Sequence, residues 1–280
     1  MYPLAWSLIP AEVHNVAVFL VLGGLSAMLV SAAKAGFGGT IGVLSFPIMV
    51  YAYGGDAMLA AGTTLPLLVA TDVVAIAGWW GKWNGRAAWM MLPGAIAGIA
   101  AGAAVLWGLR HLGGSGQAGS AVANAALMLI VGVISVGFVV LQVVQAVRGR
   151  LIAFRPVAWQ GAAAGAAAGV TSTLAHAAGP VATMYLLPQQ MPKGSYVATT
   201  VLFFAIVNQV KLIPYIAFGL VNTTTLGAGL VLLPAVVVGA IAGLKLHGKV
   251  PQRQFTAVIY VLLALTGAHM IYTGFAKLLG

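Results

Sequence analysis

Long apolar stretches separated by short polar turns run through the whole chain, and their lengths fall into two kinds. Six are long enough to cross a bilayer, which takes roughly 20 mainly apolar residues at helical rise. They are about 57–80, 87–109 and 121–147 in the first half, then about 195–217, 223–246 and 255–278 in the second. Each trio follows a shorter pair, about 16–35 with 41–53 and about 157–175 with 180–188. The second member of each pair is too short to span, so each pair is predicted to be a broken helical hairpin that returns to its starting side. The pattern predicts an all-α polytopic membrane protein with about five helical elements in each half.

The halves also match residue by residue. Met91-Leu92-Pro93-Gly94 through Gly98 to Gly102 parallels Leu232-Leu233-Pro234-Ala235 through Gly239 to Gly243 at an offset of 141 (234 − 93), keeping a proline and two glycines in register. Upstream, Ala61-Gly62-Thr63-Thr64 pairs with Val197-Ala198-Thr199-Thr200 at an offset of 136 (199 − 63), which sets Asp72 against Asn208. An odd number of elements per unit turns the second copy upside down. The fold class expected is therefore two inverted-topology repeats, each opening on its broken hairpin. Glycines four apart, at Gly94, Gly98 and Gly102, at Gly161, Gly165 and Gly169, and at Gly239 and Gly243, are the spacing that lets membrane helices approach to backbone contact. They read first as packing.

Composition agrees: 61% of the 280 residues are hydrophobic and 6% are charged, and mean hydropathy is +1.04, too apolar for a water-soluble core in a polar coat. The formal charge of +10 would raise the question of nucleic acid, but the basic residues stand singly in loops, so no nucleic-acid partner is expected and the charge reads as topology. With the N-terminus outside, Lys82, Arg86, Arg148, Arg150, Arg155, Lys193, Lys245, Lys249 and Arg253 fall inside, and only Arg110 and Lys277 outside. Trp79, Trp80 and Trp83 beside the first inside loop fit an interfacial aromatic belt. The expected organisation is an extracytoplasmic start at 1–15, a first membrane repeat at 16–147, a cytoplasmic linker at 148–156 and a second repeat at 157–280. Both termini are then extracytoplasmic. No Lys or Arg precedes Lys34, so the first residues lack the basic region of a cleaved secretory signal. The absence of cysteine removes thiolate chemistry.

Both hairpins break at residues unsuited to lipid. The first break is Ala33-Lys34-Ala35-Gly36-Phe37-Gly38-Gly39-Thr40, and the second is Ser172-Thr173-Leu174-Ala175-His176-Ala177-Ala178-Gly179-Pro180. Paired interruptions in two halves are the best pointer to a transporter's binding site, because broken helices free backbone groups and helix ends to hold a solute. Lys34 with a turn at Gly36, Gly38 and Gly39 that bares backbone N–H groups, and a half-helix from Thr40, suits an anion. Ser172, Thr173, His176 and Gly179 supply donors at the second break, while Thr64 and Thr200 line a path between them. Simpler readings stand beside these: Lys34 snorkelling to an interface, glycines relieving crowding, and hydroxyls bonding back to their own helices. Asp72 and Lys211 lie within long spans, where an unpaired charge is costly, so an Asp72–Lys211 pair with Asn208 one turn away is expected, either as a structural salt bridge or as a gate. His176, whose ordinary pKa lies near ~6.5, is the candidate for proton coupling along with Asp72.

The order Gly36-Phe37-Gly38-Gly39, Phe46-Pro47, Ala60-Ala61-Gly62-Thr63-Thr64, then Ala178-Gly179-Pro180, Tyr185-Leu186-Leu187-Pro188 and Val197-Ala198-Thr199-Thr200 resembles the TauE/SafE sulfite-exporter family from about 22 to about 274. Thr40 stands where members of that family commonly carry another glycine. The resemblance implies secondary transport of sulfite or an organosulfur anion across a prokaryotic inner membrane. The residues alone argue for a small anion or polar solute carried through a site between inverted repeats; the mechanism expected is alternating access coupled to protons, with no cofactor and no metal. Two rivals remain: a passive anion channel, and an intramembrane enzyme using His176 and Asp72 as acid and base.

Overall fold

The structure, a computed structural model, describes residues 8–11, 13, 15–112, 117–148, 157–247 and 252–279. Most of the expected N-terminal segment, and all of the linker beyond Arg148, lie outside the described residues. Among the described residues every regular element is helical. In the first half α1 is Val16–Phe37, α2 Ser45–Ala52, α3 Ala57–Gly78, α4 Gly85–Leu112 and α5 Gln117–Arg148. In the second half α6 is Ala158–Ala175, α7 Ala178–Leu186, α8 Lys193–Ala217, α9 Thr223–Leu246 and α10 Gln252–Leu279. Among the described residues seven helices are long and apolar enough to cross a membrane: the six expected long spans, and α1, which contains a π-helical turn at Phe19–Gly23.

Local chemistry sets the boundaries. The Asp56 carboxylate accepts from the Leu59 N–H at 2.9 Å and starts α3. Asn222 and Thr225 form a reciprocal capping box that starts α9. Pro93 and Pro234, matched in the sequence, both lie inside long helices; each removes a backbone donor without ending its helix, as membrane helices tolerate when neighbours close around them.

The packing is reciprocal between halves. The first helix of each half lies along the fourth of the other, α1 on α9 and α6 on α4. The third helices α3 and α8 touch each other and the other half's fourth helix, and α5 pairs with α10. Glycine makes the closest seams possible. A Cβ built on Gly94 would lie 1.8 Å from the Ala162 carbonyl oxygen, and one on Gly165 1.9 Å from that of Met91. The seam of α1 and α9 is alike, with Gly239 on Met28 and Gly243 on Ala32. These glycines serve backbone contact between helices, gaining dispersion where lipid offers no hydrophobic drive.

Candidate functional site

Each break begins where a helix turns left-handed. α1 closes on Gly38 at φ 71° followed by Gly39 at φ 80°, and the chain continues through a 3-10 turn, Thr40–Leu44, into α2. α6 closes on His176 at φ 51°, and α7 opens two residues later. Gly38 and His176 thus hold the same place in their hairpins, the left-handed C-cap of the first helix, which glycine fills without strain. A residue with a Cβ rarely adopts this conformation, and the second half spends it on an imidazole.

The two breaks face each other across a cavity of about 30 Å³. From the expected site residues it takes Lys34, Gly39, Ser172, His176, Gly179 and Asn208. Phe204 joins them, with the Lys34 ammonium 5.8 Å from its ring centre, and Phe46 meets the His176 ring edge to face at 4.9 Å. Phe204 carried no sequence signal beyond an apolar position on a helix, and Phe46 only its place in the Phe46-Pro47 motif.

The charges pair otherwise than the sequence suggested. Asp72 forms its ion pair with Lys34, not with Lys211. Asn208 donates to the second carboxylate oxygen at 2.8 Å, so the two residues matched at offset 136 touch across the α3–α8 contact. Lys211 is fully buried and donates to the Ser172 carbonyl at 2.9 Å and hydroxyl at 3.1 Å, and lies 3.0 Å from His176 Nδ1. Among the described residues no carboxylate lies within ion-pair distance of Lys211. With Lys211 as an ammonium, which has only donors, His176 Nδ1 accepts and the ring proton sits on Nε2, which lies toward the Ala61 carbonyl without a well-formed hydrogen bond.

Other expected groups stand elsewhere. Gly36 lies inside α1, not in the turn, and packs on α9, where a Cβ would come within 2.3 Å of the Gly243 carbonyl oxygen. The Gly38 and Gly39 N–H groups are not bared: both donate to the Ala33 carbonyl and finish the helix. Thr64 bonds back to Ala60, Thr173 to Gly169 and Thr200 to Val197, each at 2.7–2.8 Å, the ordinary use of a helical hydroxyl. Thr40 opens the 3-10 turn, and its side chain is outside the described residues.

The helix ends behind the breaks are clamped alike. Two residues before the end of α1, the Ala35 carbonyl accepts from Trp79 Nε1 at 2.7 Å; two before the end of α6, the Thr173 carbonyl accepts from Tyr215 Oη at 2.6 Å. Trp79 and Tyr215 are themselves 136 apart (215 − 79), the offset already seen. Trp79 is buried and clamps the core, while of the other two tryptophans expected at an aromatic belt Trp80 is 72% exposed and Trp83 is half-buried, their rings edge to face at 5.5 Å. His247 adds a second clamp, Nδ1 donating to the Gly36 carbonyl at 2.6 Å while its ring meets Trp79 edge to face at 4.8 Å.

A cavity between two broken hairpins, walled by the buried Lys34 and by His176 in a bundle of membrane-length helices, is the setting of a solute carrier. Comparison with curated proteins and with solved structures finds no match. The family model described as sulfite exporter TauE/SafE matches residues 20–270, nearly the whole chain and both breaks, and the protein belongs to that family of membrane transporters of sulfite-type anions.

Proposed function

We propose that this protein is a secondary active transporter in a prokaryotic inner membrane, carrying a small sulfur-containing anion by alternating access between two inverted repeats. One observation carries the reading: among the described residues two buried lysines, Lys34 and Lys211, stand against one buried carboxylate, Asp72, which pairs with Lys34 and leaves Lys211 without a counter-charge. A buried charge without a counter-charge is costly, and an anion in the adjoining cavity supplies what is missing. The first amides of α7, at Ala178 and Gly179, border the same cavity and have no acceptor within their helix. With His176 Nε2 they form a donor set for oxyanion oxygens. The cavity takes about two water-sized groups, the scale of sulfite or the head of a sulfonate.

The reciprocal packing of α1 on α9 and α6 on α4 supports the inverted-repeat frame. In that frame the Trp79–His247 clamp holds one break and the Tyr215–Lys211 pair the other, and releasing them in turn opens the cavity to each side. Asp72, Asn208, Lys211 and His176 are the coupling groups, with Asp72 and His176 the proton carriers. Purified protein in liposomes tests this with labelled sulfite and a panel of sulfate, thiosulfate, sulfoacetate and taurine. Saturable uptake with counterflow, driven by an imposed pH gradient, is expected. An ohmic anion current would identify a channel, and turnover of substrate without flux would identify an enzyme.

A further inference from the structure

A groove of about 710 Å³ opens on the outer surface where α4 and α6 begin, sharing no residue with the cavity at the breaks. Arg86 and Trp89 of α4 and Trp159 of α6 line it, along with Met90, Pro93 and Ala162. The two indoles are 67% and 70% exposed, a large apolar area at the ends of helices that lie against lipid. Deeper along the seam, Gly94 closes onto Ala162 to backbone contact, so the groove tapers from a wide mouth to a shut joint. That shape receives a headgroup above one acyl chain.

Among the described residues Arg86 has no counter-charge. The chain holds three acids; Asp56 caps α3 and Asp72 is paired with Lys34, while Glu12 is outside the described residues. Lys82, in the turn before α4, does not line the groove; its ammonium stands 5.4 Å from the Trp79 ring centre. Exposed indoles beside a guanidinium, where a span meets the headgroup layer, are the elements of lipid recognition, and guanidinium binds phosphate through two parallel hydrogen bonds. A second copy meeting this one through the same face would bring another Arg86 and, among the described residues that line the groove, no acid. We propose that the groove binds one anionic phospholipid, its phosphate on Arg86 and an acyl chain against Trp89, Trp159 and Pro93. The bound lipid braces α6, which carries Ser172 and His176 at its far end, against α4.

The test uses full-length protein in neutral detergent, titrated with phosphatidylglycerol or phosphatidylcholine and followed by native mass spectrometry and thermal unfolding. One phosphatidylglycerol per chain is expected, retained about fivefold better than phosphatidylcholine for the charge near Arg86, with a matching rise in unfolding temperature. Arg86→Gln removes the preference, Arg86→Lys keeps part of it, and Trp159→Ala weakens retention of both lipids. Equal retention of the two lipids by the unmodified protein, an undiminished preference in R86Q, or a dimer that both lipids fail to dissociate would each overturn the proposal.

Discussion

His176 holds a left-handed backbone that costs a residue bearing a Cβ roughly 1–2 kcal/mol, while its counterpart Gly38 holds the same turn freely. The imidazole is therefore present for its ring. His176→Gly should fold at least as stably as the unmodified protein and lose anion uptake, whereas H176A should lose both; normal uptake by the glycine variant would take the ring out of the mechanism. Asp72→Ala strands Lys34 in the core and should cost about 3–5 kcal/mol, read as a lowered unfolding temperature. The double change K34M with D72L should restore most of that stability without restoring flux. Sequence alone showed that Asp72 must face inward and that Asn208 is its counterpart. Which lysine reaches it depends on how α1 and α8 are rotated about their axes, and apolar helices of this kind leave rotation unmarked. Trp79 and Tyr215 were hidden for a related reason: an aromatic ring near a span end fits a lipid belt as well as a clamp, and only the position of the neighbouring helix end decides.

At the scale of elements, the glycine seams carry the architecture. Gly94→Ala and Gly165→Ala each push a methyl group into a facing carbonyl and should destabilise by about 1–3 kcal/mol. Gly108→Ala, with nothing within 4 Å of its Cβ position, should be neutral or gain up to about 1 kcal/mol of helix propensity. Unfolding in detergent compares the three, and equal behaviour would show that the seams are looser than drawn. The helices themselves were legible, because runs of apolar residues at membrane length admit few alternatives, and so were the hairpin breaks. Small residues four apart mark a face, however, and not the helix it meets. The pairing of α4 with α6, and Gly36 as part of the α1–α9 seam, had to come from three dimensions.

For the molecule as a whole, orientation follows from charge. With nine basic residues assigned inside against two outside, the orientation we propose puts Lys82 on the cytoplasmic side and the turn before α9 outside. The chain has no cysteine, so single reporters are clean: an impermeant thiol reagent should label Thr224→Cys in intact cells and Lys82→Cys only after permeabilisation. The opposite pattern would invert the topology. The unequal count of lysines and carboxylates at the breaks also has an electrical side. Lys34, Asp72 and Lys211 sum formally to one positive charge, which a bound monoanion cancels. In an alternating-access cycle the loaded core then crosses the field as a neutral body, and the voltage acts on the return of the empty one, by up to about 2.3 kcal/mol per 100 mV. Potential-jump measurements on reconstituted vesicles should therefore find the current in the step when nothing is carried.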